Sequence, residues 1–408
     1  MFLASKPRGH WALHLINLVF LVLVSAMLLW GFNHRSGRPD VLGQYSVGYA
    51  AFLAALALVV LLQLWLLCCA GERLRSWAAN LYTLVVSSLL VVGLTEVLLR
   101  VFNPWGMDFF HHLPYHMQGM LDDSQLGYAH PRGVNYRLGG TQVSINSRGL
   151  RDHETPYAKA PGQRRVLVLG DSVAFGWGVA QGETFSDQME PLLEQRTGQY
   201  WEVINSGVNG YNTQQEQIWL EVEGLRYEPD IVVLVYVAND TDPVFDPNAN
   251  TWRRYPQWPP SLPEALNRLR QLSYLFQGAQ VFTRLSPAAV NDAEPKAPHD
   301  KPSITDKPRW PQSKQALTTI ARTLDERGIR FLVARNSGTD PRFFVELEAS
   351  GIDGITLNPA WSRVPSELAH VSRVDSHPSA LVHAEMAILL VDELDQRGWL
   401  GTRHRATP

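Results

Sequence analysis

Arg165-Val166-Leu167-Val168-Leu169-Gly170-Asp171-Ser172 is an unbroken apolar run closed by glycine and followed at once by two polar residues. A strand exposed on one face alternates apolar and polar side chains. A continuous run of this length instead predicts a strand covered on both faces, the pattern of a parallel sheet. Downstream, Thr184 to Gln195 reads as a helix that Pro191 can kink or restart. Trp201 to Asn205 reads as a strand, Thr213 to Arg226 as a helix, and Ile231 to Val237 as a third apolar strand. Ser313 to Arg327 forms a helix stopped by Gly328, then come a strand over Ile329 to Ala334, a helix near Arg342 to Ala349, and a closing helix from Ala380 to Gln396. Strands alternating with helices predict an α/β fold, a parallel sheet between two helical layers. Two segments break the rhythm. Asp242 to Pro263 is rich in Pro, Trp and Asn, with Trp252, Tyr255 and Trp258 suited to sugar stacking or to a plain hydrophobic cover. Asp292 to Pro311 reads as a mobile insertion.

Upstream of residue 103 the material changes. The whole chain has 408 residues, 45% hydrophobic and 18% charged, with a net charge of −3 and two cysteines. Those values exclude a disordered chain and a disulfide scaffold. The average conceals a segregation. Residues 1–102 carry seven basic and three acidic side chains, a net of +4, and the remaining 306 residues carry a net of −7. Leu13 to Phe32, Val47 to Ala70 and Leu81 to Leu99 are each near the ~20 apolar residues that cross a bilayer as a helix. The first is followed by no small-residue cleavage site, so it reads as a retained anchor rather than a signal peptide. Residues 1–102 are therefore expected to form a three-helix transmembrane anchor, with spans at about 13–32, 47–70 and 81–99. Lys6, Arg8, Arg73 and Arg75 fall on one side and Arg35, Arg38 and Arg100 on the other, which favours a cytoplasmic N-terminus and an extracytoplasmic (periplasmic) remainder. Glu96 precedes Arg100 by four residues and reads as a helical pair reaching for the interface. Residues 103–163, with five prolines, read as a loop-rich connector, and 164–408 as the α/β domain. His111, His112 and His116 lie in the connector without the further ligands of a zinc site, so they read as part of a polar, aromatic approach to the membrane.

In a parallel sheet, ligands gather at the carboxyl ends of the strands. The first such end is Gly170-Asp171-Ser172, where a serine opening a helix lies among backbone N–H groups able to hold an oxyanion. A serine there is equally a common N-cap. Gly176, Gly178 and Gly182 follow the helix start with the wrong spacing for a dinucleotide loop. The second end, Asn205-Ser-Gly-Val-Asn-Gly210-Tyr-Asn212, has two glycines that admit close backbone approach, or make a routine turn. The third is Val237-Ala-Asn239-Asp240, and ahead of the last helix stands Asp375-Ser-His377-Pro378. A serine nucleophile requires a base, and the base an orienting acceptor.

Together these four blocks, in this order over about residues 164–397, resemble the SGNH, or GDSL-type, hydrolases. Asn146-Ser-Arg-Gly-Leu-Arg151 upstream is similar to a run found ahead of the GDS strand in membrane-attached members. The resemblance implies an SGNH-hydrolase-like (flavodoxin-like) three-layer α/β fold. It implies Ser172 as nucleophile, His377 as general base and Asp375 as its orienter. It also implies an oxyanion hole from the backbone N–H groups of Ser172 and Gly210 and the side-chain amide of Asn239. No cofactor or metal is implied. The sequence departs from the family pattern in three places: Val173-Ala174 replaces the usual leucine, Val237 stands where glycine is common, and Asp375 precedes His377 by two residues rather than three.

The implied reaction is acyl transfer through an acyl-serine: His377 takes the Ser172 proton during attack on an ester carbonyl and returns it to the departing alcohol. The expected substrate is an O-acyl ester of a glycan or lipid outside the cytoplasm, beside membrane lipids. One alternative is an O-acyltransferase of exopolysaccharide or cell-envelope modification, which predicts a multi-spanning membrane partner supplying the acyl donor. A second is a catalytically idle membrane scaffold. Nucleic-acid binding is not expected of an acidic domain without a basic stripe.

Overall fold

The computed structural model describes residues 10–32, 47–103, 106, 116, 119–138, 140–244, 273–275, 303–338, 340–373 and 375–401. The chain divides into two compact units, Met1–Leu98 and Leu99–Pro408.

Among the described residues, the first unit holds α1 (His10–Phe32), α2 (Val47–Cys68) and α3 (Glu72–Phe102) up to Leu98. The stretches Ala50–Cys68 and Glu72–Phe102 are long and apolar enough to cross a membrane, whereas α1 contributes a shorter apolar stretch, His14–Ala26. Two candidate spans therefore stand where three were expected. Three polar residues of these helices, Asn17, Gln63 and Tyr82, meet. Gln63 donates from Nε2 to the Asn17 backbone oxygen at 2.8 Å and to its Oδ1 at 3.1 Å, and accepts from the Tyr82 hydroxyl. Asn17 and Gln63 are buried, so this contact satisfies amide groups that would otherwise be costly in apolar surroundings.

The second unit is built on a five-stranded parallel sheet in the order β6-β5-β7-β8-β9. Its strands are β5 (Arg164–Gly170), β6 (Trp201–Asn205), β7 (Ile231–Tyr236), β8 (Arg330–Arg335) and β9 (Asp353–Thr356). Alternation along the central strands feeds two cores. Leu167, Leu169, Val232 and Leu234 face one, with residues of α6 (Thr213–Val222) and α7 (Trp310–Asp325). Val166, Val168, Val233 and Val235 face the other, with residues of α5 (Phe185–Thr197) and α10 (Ala380–Gln396). Each such side chain contributes about 1.5–3 kcal/mol on burial, so a strand apolar on both faces is what this position demands. The three-layer α/β arrangement follows. Three short helices complete the chain order: α4 (Ser172–Phe175), α8 (Pro341–Glu348) and α9 (Asn358–Ser362).

Several expectations change. Helix α5 runs unbroken through Pro191. The connector over 103–163 is not merely loop: β1 (Leu121–Asp123) pairs with β2 (Gly127–Ala129), and β3 (Val134–Leu138) with β4 (Thr141–Ile145), both antiparallel. Leu138, Val143 and Ile145 pack with Phe175 and Trp177, so the second hairpin has its own apolar face. Strand β9 escaped the sequence reading because Asp-Gly-Ile-Thr carries neither an apolar run nor a clean alternation. Of the predicted insertion at 292–311, residues 292–302 lie outside the described residues, as do Trp252, Tyr255, Trp258, His111 and His112. Residues 303–311 form a 3₁₀ turn, Ile304–Asp306, and the start of α7.

Among the described residues of this unit, His116, His130 and His383 are buried. Burial holds His130 and His383 down to about 3 and puts His116 well below the usual histidine range. In the unfolded chain each titrates near 6.5, so acidification below that value protonates the unfolded state first and stability falls. Each fully buried ring contributes a loss of about 1.4 kcal/mol per pH unit between its two pKa values. His383 accepts the Phe185 backbone N–H on Nδ1 at 3.1 Å. We expect the melting temperature of the purified protein to fall from pH 6.5 towards pH 4, and His383→Gln to flatten that fall. Parallel wild-type and variant curves would contradict a neutral His383.

Candidate active site

Three strand ends converge at one edge of the sheet. At the end of β5, Asp171 caps α4, accepting the Val173 backbone N–H on Oδ1 at 2.9 Å. The cap is thus Asp171, and Ser172 is the first helical residue, free of the capping role considered for it. Beyond β6, the glycine turn is tied to β5 by backbone bonds from Ser206 to Val168 (3.0 Å) and from Val208 to Gly170 (3.1 Å). Gly210 has φ 78°, which favours glycine. Tyr128 of the first hairpin donates from its hydroxyl to the Asn209 carbonyl at 2.9 Å, bracing this turn. Beyond β7, Ala238–Thr241 forms a 3₁₀ turn whose Asn239 donates from Nδ2 to Asp171 Oδ2 at 3.0 Å.

Ser172 and His377, 205 positions apart, meet here: His377 Nε2 lies 2.8 Å from Ser172 Oγ. His377 Nδ1 lies 2.6 Å from Asp375 Oδ1, which also accepts the His377 backbone N–H at 3.1 Å. An ionised carboxylate can only accept, so Nδ1 carries a proton and, in the neutral ring, Nε2 is left as an acceptor for the serine hydroxyl. Ser172 Oγ also lies 3.2 Å from Asp171 Oδ2. Asp375 is buried, while Ser172 and His377 are partly exposed. The structure therefore brings Ser172, His377 and Asp375 into one hydrogen-bonded chain. It sets Asn239 on the carboxylate next to Ser172, and Gly210 on the turn beside α4.

Residues 168–380 match the profile of the GDSL-like Lipase/Acylhydrolase family. That match spans over half the chain. The protein belongs to the GDSL-like lipase/acylhydrolase family. This is a family of ester-hydrolysing enzymes, and its fold is the parallel α/β sheet described above. Solved structures similar to the chain include a lipase/acylhydrolase from Enterococcus faecalis (14% identity, 57% of this chain and 96% of the other, TM-score 0.33). A psychrotrophic esterase from Pseudoalteromonas sp., inhibited by monoethylphosphonate, shares 13% identity over 59% of this chain and 100% of its own, with TM-score 0.35. A two-domain esterase active on acetylated mannans shares 12% identity over 61% of this chain and 53% of its own, with TM-score 0.36. No curated protein sequence matches the chain.

Several residues around this GDSL-type site were not singled out by the sequence. Trp177 donates from its indole Nε1 to Asp375 Oδ2 at 2.8 Å. Arg151, which closes the Asn146–Arg151 run, has a buried guanidinium that donates to the carbonyls of Phe175 (3.0 Å), Gly176 and Val179. It clamps the backbone immediately after the serine. Burial pushes the Asp171 carboxyl above the ordinary carboxylate range, while bonds from Val173, Asn239 and Ser172 and the proximity of His377 pull the other way. Behind it, burial and the neighbouring carboxylates raise Glu216 and Asp240 well above that range. Asp171 and Asp240 belong to the strand-end blocks quoted above, whereas Glu216, inside a helix, has no period or spacing that would reveal it in a sequence.

Gly207 is where the glycine turn touches α4. A Cβ at this position would lie 2.2 Å from the Phe175 backbone nitrogen and 2.7 Å from the Ala174 carbonyl carbon. Neither atom can swing aside, so Gly207→Ala must push the turn away from the serine helix. We expect it to destabilise the fold by about 1–3 kcal/mol and to suppress ester hydrolysis. Unchanged melting and activity would show that the two segments are not in close contact.

Proposed function

We propose that this protein is a membrane-anchored serine esterase that hydrolyses O-acyl esters of a glycan or lipid outside the cytoplasm. The observation that carries the proposal is the unbroken series Ser172 Oγ, His377 Nε2, His377 Nδ1, Asp375 Oδ1, with separations of 2.8 and 2.6 Å. Ser172 attacks the ester carbonyl as His377 takes its proton. Asp375 holds the ring in the required tautomer and stabilises the imidazolium. The backbone N–H groups of Ser172 and Gly210 and the Asn239 amide receive the oxyanion. His377 then protonates the leaving alcohol, and water releases the acyl group by the same steps in reverse order. Support for the anchor comes from the two helices apolar enough to cross a membrane. We read α1 as a third crossing because Leu13 to Phe32 is apolar except for His14, Asn17 and Ser25; the excess of basic flanking residues on the side of Lys6, Arg8, Arg73 and Arg75 then supports a cytoplasmic N-terminus and an enzyme beyond the membrane.

A fluorophosphonate probe tests the nucleophile directly, since it forms a covalent bond to an activated serine. Wild type is expected to label and to hydrolyse short-chain esters, and Ser172→Ala to do neither. Labelling of Ser172→Ala at the wild-type level would place the nucleophile elsewhere. Asn239→Ala removes one oxyanion donor and also frees Asp171, and should lower kcat by roughly 10²–10³ without abolishing labelling. Supplying acetylated and unacetylated glycans in the same assay separates delivery of the acyl group to water from delivery to a sugar hydroxyl.

A further inference from the structure

We propose that Trp177 is the positioning residue of this site, holding Asp375 and His377 in register with Ser172 through its indole N–H. The proposal rests on the serine-esterase reading above. It begins with the short spacing between acid and base. Because Asp375 precedes His377 by only two residues, Asp375 Oδ1 is used twice within one turn, by His377 Nδ1 at 2.6 Å and by the His377 backbone N–H at 3.1 Å. Oδ2 of this buried carboxylate faces away from the histidine and accepts the Trp177 indole N–H at 2.8 Å. A buried carboxylate is expensive unless its lone pairs are met, and the indole meets them from the nucleophile's own segment.

Trp177 is itself immobilised. Its side chain is fully buried, and its backbone N–H donates to the Ser172 carbonyl at 3.0 Å. The Arg151 guanidinium holds the carbonyls of Phe175 and Gly176 just ahead of it. Its ring stacks with that of His377, centroids 5.7 Å apart and planes 29° apart. One side chain thus restrains both the acid and the base relative to the helix that bears Ser172. Among the described residues, titratable groups around the pair include Asp171 beside Ser172, His383 on α10, His116 against the edge of the Trp177 ring, and His370, whose Nδ1 lies 3.0 Å from the Ser376 carbonyl.

The test is hydrolysis of 4-nitrophenyl acetate across pH by the full-length protein in detergent. It compares wild type, Trp177→Phe, Ser172→Ala, and a protein with 3-benzothienylalanine at position 177, which keeps the indole shape without the N–H. A hydrogen bond to a charged group corresponds to roughly a ten- to hundredfold effect on a rate. The isostere should stay folded at the assay temperature, with a lowered melting temperature because Asp375 loses a donor, and should lose that much kcat with KM within about twofold. Asp375, no longer met on Oδ2, holds the imidazolium more strongly, so the acid limb of the pH–rate profile should move to higher pH. Trp177→Phe should show the same kinetic changes; if it fails to fold, the isostere decides. Wild-type kcat and pH profile in the isostere, with Ser172→Ala inactive, would overturn the positioning role and leave the esterase reading intact. Full activity in Ser172→Ala would overturn both.

Discussion

The Asp171 carboxylate is where the separate parts of the site are joined. It caps α4 through the Val173 N–H, lies within reach of Ser172 Oγ, and accepts the Asn239 amide from the turn after β7. These donors come from two strand ends that are neighbours only because β5 and β7 pair in parallel. A buried carboxylate cannot be left half-satisfied, so its lone pairs dictate where Asn239 and the serine helix must sit. The sheet brings the strand ends together, and this one charge fixes them at ångström scale. Its neighbours Glu216 and Asp240 are driven towards their neutral forms by the same crowding, which keeps negative charge from accumulating under the serine.

Much of this architecture was legible in the chain. Strands covered on both faces have no polar alternative, and so β5 and β7 declared themselves as apolar runs ending in Gly170-Asp171-Ser172 and ahead of Asn239-Asp240. The candidate residues were legible for a different reason: each stands directly at a strand end or just before the last helix, where spacing along the chain translates into position. Trp177, Arg151 and Glu216 were less so. Their contributions depend on which distant atom a side chain reaches, and Trp177 meets a carboxylate 198 positions away. An aromatic residue after a helix start carries no local mark of that partner.

The connector shows the same limit from the other side. Five prolines between residues 103 and 163 mark interruptions, yet two hairpins, with strands of three and of five residues, fit between them. Tyr128 reaches the carbonyl of Asn209, Gln215 reaches back to the Leu126 carbonyl at 2.6 Å, and Tyr211 to the Tyr128 carbonyl at 2.6 Å. The segment read as a spacer is a brace for the glycine turn. In the N-terminal unit, Asn17 and Gln63 interrupt two apolar stretches, and each is the other's hydrogen-bond partner.

The close spacing of Asp375 and His377 has a consequence for how such a site can fail or be controlled. Acid and base ride on one tightly bonded loop, closed by Val371 N–H to His377 O at 2.9 Å and Ser379 N–H to Ala369 O at 2.9 Å. Both side chains hang from the same short stretch of backbone, so a displacement of that backbone carries acid and base away from the serine together.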